Sequence, residues 1–378
     1  MSMDFKLSEE QQMLQDTAAR LVRDEYAFDR REGFGNSELG YSAGFWRQLG
    51  ELGLTSVSLP EAYGGFGGGV DSMLVLTELG RGLCLEPYLQ SVVHAGGLLA
   101  QLGSEAQKEN WLPRIASAEA QLAVALEEPQ SHYQLHDVQT RAEKAGDGWR
   151  LSGRKAVVVG GQSATAILVS ARVSGNARDE AGIGLFLVDP QQPGVQRRAY
   201  PTINGQKACE LFLDGALGEA VGVPGEALPA LRYQQGRAIA AQCAEALGSM
   251  QEACALTLDY LKTRKQFGVP IGKFQVLQHR MVDMRSELEQ ATSMAILAAC
   301  VADQPDSAER SRTLAAAKFI VTRAGRYIAE QAIQLHGGIG MTWEYVLAHH
   351  AKRLVMLGHQ LGDDDHHLKA YAGLMEVA

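Results

Sequence analysis

Residues 359–368 read HQLGDDDHHL. Three adjacent carboxylates, a glycine and a pair of histidines admit three chemistries: a general base, a metal site, or a charged corner between two helices. A base is the sharpest of these, since Asp363 would have to sit within reach of the proton it takes. Two further stretches carry ligand chemistry. RKQFGVPIGKFQ (264–275) offers Arg264, whose planar fork suits a diphosphate, and Phe267, whose ring can pack on another ring. QLHGGIGMT (334–342) offers Gln334 and three glycines, Gly337, Gly338 and Gly340. Bare glycines let a ligand lie against the backbone, and exposed amides favour anions. Each stretch also has a plain reading as a helix stop, with Gly268 closing one helix and Pro270 preventing its continuation.

These residues need elements to position them. The chain has 378 residues, enough for two or three packed units, and 46% hydrophobic content supports a large core. A net charge of -9 argues against a nucleic-acid footprint, which requires a basic face. No apolar run reaches the length of a membrane span, and the opening MSMDFKLSEEQQ lacks the pattern of a signal peptide. Five scattered cysteines without a CxxC pair are expected to be buried, reduced thiols of a cytoplasmic protein.

Texture divides the chain into three zones, 1–118, 119–225 and 226–378. The first is helical. Ser8 and Gln11 form a capping box, and Leu14, Ala18, Leu21 and Val22 follow at helical spacing. PEAYGGFGGG (60–69) is expected to be a loop. The second zone has short apolar runs at 123–126, 156–159, 166–173, 184–188 and 210–213, bounded by turns such as AGDGW (145–149). That pattern predicts a small antiparallel β-domain. The third returns to helical period, with Ile239, Cys243, Leu247, Met250, Cys254 and Leu258 stepping by threes and fours. Long periodic helices with short connections predict an antiparallel four-helix bundle. The fold class is α+β, in the order helices, sheet, helices.

RKQFGVPIGKFQVLQHRMVDM (264–284) followed by QLHGGIGMT resembles the C-terminal domain of the acyl-CoA dehydrogenases. LSEEQQMLQDTAARLV, FWRQLGELGLTSVSLPEAYGG and GDGWRLSGRKAVV resemble that family's other segments, in the same order. The resemblance implies an FAD-dependent oxidoreductase acting on an acyl-CoA thioester and passing electrons to an electron-transfer flavoprotein. It implies a tetramer with FAD held between subunits. By resemblance, Arg264, Gln266, Phe267 and Gln275 hold FAD. Gln334, Gly337, Gly338 and Gly340 match the stretch that meets a neighbouring subunit's FAD.

The same resemblance exposes departures. Most relatives carry a Glu-Gly pair whose glutamate takes the α-proton, and the pair falls here on Leu361 and Gly362. Leucine accepts no proton. Other relatives place the glutamate on the first bundle helix, but RYQQGRAIAAQ (232–242) holds Gln234, Gln235 and Arg237 and no carboxylate. Asp363 is the remaining candidate, two residues further on and one methylene shorter. Against it stand the cost of burying three adjacent like charges and the preference of carboxylates for helix N-termini. Against a metal stands the divergence of consecutive helical side chains. The family's Thr-Glu-Pro, which meets the flavin, reads Glu127-Glu128-Pro129 here, and the following Gly-Ser-Asp is missing. VVVGG (157–161) stands in place of an aromatic-containing strand. These departures resemble the small subunits of pimeloyl-CoA dehydrogenase and related steroid-pathway enzymes, in which two different chains pair and one of them carries the base.

Overall fold

The structure, a computed structural model, describes residues 6–146 and 148–375. The predicted turn at 145–149 includes Asp147, and the opening read for a signal peptide includes residues 1–5, so both fall partly outside the described residues. In chain order the helical start comprises α1 (Glu9–Glu25), α2 (Phe28–Asn36), α3 (Ala43–Glu51), α4 (Gly69–Arg81), α5 (Gly96–Leu102) and α6 (Glu105–Ala116). The strands are β1 (Leu122–Ala125), β2 (Arg141–Ala145), β3 (Gly148–Val159), β4 (Ala166–Arg172), β5 (Ile183–Val188), β6 (Val195–Pro201) and β7 (Lys207–Val221). The long helices α7 (Leu228–Thr263), α8 (Gln275–Val301) and α9 (Ala308–His336) follow, with a hairpin of β8 (Lys265–Gln266) and β9 (Val269–Pro270) between the first two. Two shorter helices, α10 (Val346–Leu357) and α11 (Asp364–Met375), end the described chain.

The described elements cluster into two compact units, each discontinuous in sequence. The first takes residues 1–30, 69–84 and 239–378. In it α8 lies along α9, and α10 and α11 pack against α9, so α11 adds to the four predicted bundle helices. The core joins Leu247 and Met250 to Leu288, Val321, Ile328 and Leu354, with Ala291, Ala295, Ala317 and Ala324 fully buried between them. Alanine there keeps helix propensity high and lets backbones approach closely. The capping box at the start of α1 is present in full, with Ser8 Oγ accepting from Gln11 N and Gln11 Oε1 accepting from Ser8 N.

The second unit takes residues 31–68 and 85–238 and contains the sheet. β4 pairs with β2 and β5, β5 with β7, β7 with β3, and β3 with β2, so the pairings close on themselves. Most pairs are antiparallel as predicted, but β1 runs parallel to β4, with Leu122 opposite Ala166 and Ala125 opposite Val169. The sheet is therefore mixed. The β2–β3 hairpin lies between β1 and β4 in sequence, which gives the chain the crossover length that a parallel pair requires. β4 and β5 are buried on both faces, while β6 is largely exposed. The polar text of β6, VQRRAYP, and of β2, RAEKA, hides both strands from a search for apolar runs. No disulfide joins the cysteines among the described residues, and four are buried, but Cys300 is exposed rather than buried.

Candidate functional site

The helix stop expected at Gly268 is a hairpin instead. α7 ends at Thr263, and Gln266 pairs with Val269 across a two-residue turn of Phe267 (φ +53°) and Gly268 (φ +81°). Positive φ at both central residues matches the twist of a tight hairpin, a demand glycine meets freely and phenylalanine does not. The Phe267 ring is 89% exposed, edge-on to Phe274 at 6.2 Å. Arg264 and Gln266 are exposed beside it, and Gln275 is the exposed first residue of α8. That helix begins without a capping side chain, which leaves first-turn amides open to an anion.

α9 stops at His336, where Gly337 turns at φ +63° and a short 3-10 turn runs from Gly337 to Met341. The glycines have different reasons. A Cβ on Gly340 would press within 2.9 Å of His336 Cβ, a clash inside the chain. A Cβ on Gly337 or Gly338 would meet nothing within 4 Å. Gln334 is exposed on the turn before. The structure brings this turn beside the hairpin: Tyr260, one turn before Arg264, stacks on His336 with ring centroids 4.4 Å apart. Tyr345 Oη lies 3.3 Å from His336 Nε2, and His336 Nδ1 lies 2.8 Å from the Ala332 carbonyl. This aromatic clamp escaped the sequence reading because only the spacing of two distant helices creates it. An exposed guanidinium, an exposed ring and an uncapped helix start suit the diphosphate side of FAD, and the bare glycine backbone at Gly337 and Gly338 leaves room for a group laid against it from outside the chain.

In HQLGDDDHHL, α10 ends at Leu357, Leu361 turns at φ +58°, and Gly362 follows at φ +102°. A Cβ on Gly362 would lie 2.4 Å from His367 Nε2, so a side chain there would have to displace that imidazole as well as adopt a strained positive φ. Leu361 is half-buried and packs on the helical core. Asp363 Oδ1 accepts from His366 N at 2.9 Å, and the Asp363 carbonyl accepts from His367 N at 3.1 Å, so Asp363 caps α11. His367 is buried beside the Leu361 carbonyl (2.8 Å), and burial pushes its imidazole down to about 4. No group of three or more histidines, cysteines or carboxylates able to hold a metal occurs among the described residues. Beneath this loop Lys318, 2% exposed, donates to Gln242 Oε1 and to the carbonyl of Leu357. Burial pulls its ammonium down to about 8.

The second unit carries the departures around Glu127. Glu128 is buried and accepts from Lys155 Nζ (2.7 Å), Gln139 N (2.8 Å) and Thr140 N (3.0 Å). Lys155 also donates to Ser170 Oγ at 3.0 Å. Arg172, 1% exposed, donates to the carbonyls of His136, Val138, Ala177, Asp179 and Ala181, which occupies its whole donor fork and pins two loops together. Lys155 lies within the quoted GRKAVV stretch, but nothing in that stretch marks it as buried. On the first bundle helix, Gln234 is buried and donates to Gln101 Oε1 at 2.9 Å, and Arg237 donates to the Ser58 carbonyl at 3.3 Å.

Three family descriptions match in order along the chain: acyl-CoA dehydrogenase N-terminal domain over residues 8–119, middle domain over 123–216, and C-terminal domain over 234–371. The chain belongs to the acyl-CoA dehydrogenase family. It is accordingly an oxidoreductase of that family, with FAD as its cofactor. It is similar to the acyl-CoA dehydrogenase FadE12 of Mycobacterium tuberculosis, 31% identical over 355 residues that cover 91% of this chain and 90% of the relative. Among solved structures, a variant of the Tcur3481–Tcur3483 steroid ACAD is 32% identical, with a TM-score of 0.88 and 98% of each chain covered. The ChsE4–ChsE5 complex from Mycobacterium tuberculosis is 27% identical, with a TM-score of 0.88 and all of both chains covered. Among the described residues, no helix of this family member is long and apolar enough to cross a membrane.

Proposed function

We propose that this chain is an FAD-binding subunit of an enzyme that dehydrogenates an acyl-CoA thioester between its α and β carbons, and that a paralogous partner chain supplies the base. The observation that carries the reading is Leu361 at the position where most relatives hold a glutamate. Its half-buried side chain belongs to the apolar packing of the helical unit. The nearest acid in sequence, Asp363, is engaged as a helix cap. Support for pairing comes from relatives described by two chain names, Tcur3481–Tcur3483 and the ChsE4–ChsE5 complex.

In this reading Arg264 binds the FAD diphosphate, Phe267 covers a ring, and Gln266 and Gln275 add hydrogen bonds. Gln334, Gly337, Gly338 and Gly340 lie against the FAD of a neighbouring subunit. When bound, FAD supplies the acceptor for a hydride from the substrate's β-carbon, and an electron-transfer flavoprotein drains the electrons. A groove of about 940 Å³ between α7 and α8, floored by Cys254, Leu258, Leu261, Met281 and Val282, favours a covered face in an assembly.

The test is native mass and visible spectrum of the purified chain, alone and with candidate partner chains, followed by an acyl-CoA assay with an artificial acceptor. The reading expects turnover only in the mixed assembly. Turnover by this chain alone defeats partner dependence, and a colourless protein that takes up no FAD favours a non-catalytic scaffold subunit. Asp363→Ala decides the displaced-base alternative: bleaching of the flavin by substrate should survive the change, and its loss with FAD still bound would make Asp363 the base.

A further inference from the structure

Glu127 and Glu128 are neighbours with opposite fates. Glu128 is saturated with donors, as described above. Glu127 is held through its backbone alone: its carbonyl accepts from Ala156 N at 2.9 Å, and the carbonyl before it, of Leu126, accepts from Lys155 Nζ at 3.3 Å. Its half-buried carboxyl makes no hydrogen bond or ion pair among the described residues. Burial raises that carboxyl above its ordinary value, and no nearby charge contributes. The charged groups around this stretch are already paired, Lys155 with Glu128 and, along β3, Arg154 with Glu210 at 2.8 Å.

The backbone partner of Glu127 leads into a strained position. Val157 follows Ala156 with φ +52°, where the pairing of β3 with β7 shifts register between Lys155 and Val158. A β-branched residue in that conformation costs about 1–3 kcal/mol and persists where surroundings or function require it. Val157 is 43% exposed, so little apolar burial offsets the strain. A clamped backbone, an unpartnered carboxyl and a strained, exposed bulge therefore meet at one place in the second unit.

We infer that Glu127 takes up a proton as FAD binds and donates a hydrogen bond from its carboxylic OH to the pyrimidine edge of the flavin. The inference rests on the flavoprotein reading and on the resemblance that sets Glu127 at the threonine of Thr-Glu-Pro. A carboxylate facing carbonyl lone pairs in a water-poor site is repelled, whereas the neutral acid presents a donor as a threonine hydroxyl does. The proton comes from solvent, and no electron moves in the step.

The experiment is FAD rebinding to the flavin-stripped protein by titration calorimetry at mildly alkaline pH, in two buffers of different ionisation enthalpy. The pair reports protons taken up per FAD, independent of turnover. The unsubstituted protein is expected to take up a proton that Glu127→Gln does not. Glutamine presents a donor without having to gain a proton, so Glu127→Gln should bind FAD about tenfold more tightly or better at this pH, and about fivefold or more tighter than Glu127→Ala, which has no donor. Equal proton uptake in the unsubstituted and Glu127→Gln proteins overturns the inference. So does an FAD affinity of Glu127→Gln no tighter than that of the unsubstituted protein, or a gain that Glu127→Ala matches, the mark of a carboxyl that donates nothing to the flavin. Failure of every form to bind FAD, the unsubstituted one included, overturns the flavoprotein reading and this inference with it.

Discussion

At the scale of single residues, buried charge does most of the positioning. Lys155 and Glu128 are both essentially buried and 2.7 Å apart. Burial opposes ionisation of Glu128, but the Lys155 charge and the hydrogen bonds from Lys155, Gln130 and Thr140 outweigh it and pull the carboxyl to about 2. Lys155→Met would strand that carboxylate, and urea denaturation should show a loss of about 3–5 kcal/mol. Lys318 works with the other sign. Its folded value near 8 lies below the ordinary lysine value of 10.5, so the unfolded chain binds more protons between them. Stability should therefore rise with pH from about 8 toward 10.5, and Lys318→Met should remove that rise in denaturation curves taken across the range.

At the scale of elements, the hairpin between α7 and α8 trades backbone comfort for a displayed ring. Phe267 occupies a position of positive φ while keeping its ring almost fully exposed, so the conformation costs free energy with no burial in return. Phe267→Gly should stabilise the isolated chain by about 1 kcal/mol in thermal unfolding while weakening FAD binding, since the ring is lost. Unchanged FAD affinity in that variant would remove Phe267 from the cofactor site.

The glycine turn after α9 carries the prediction for the whole molecule. A methyl on Gly338 meets nothing within 4 Å in this chain, so Gly338→Ala should leave the folding of the single chain within about 1 kcal/mol of its parent. If a neighbouring subunit's FAD lies there, the same methyl should lower FAD retention or shift native mass toward smaller species. Size-exclusion chromatography with absorbance at flavin wavelengths reads both, and an unaltered profile would take Gly338 out of the interface.

What the sequence determined alone follows from local physics. Apolar period laid out helices, sheet and helices, and paired side chains fixed the capping box of Ser8 and Gln11. The order of the glycine and arginine motifs marked the family, and a leucine at position 361 is visible without coordinates. Tertiary structure alone decided the rest. Gly268 was legible as a left-handed residue, but only the pairing of Gln266 with Val269 made it a hairpin turn instead of a helix stop. The three aspartates were legible as charge, but only the backbone amide of His366 made Asp363 a cap. Lys155, Arg172 and Lys318 look like surface residues in a sequence, because burial of a cation depends on acceptors brought from distant segments. The parallel pairing of β1 with β4 and the stacking of Tyr260 on His336 depend in the same way on contacts between residues far apart in the chain, which no local pattern records.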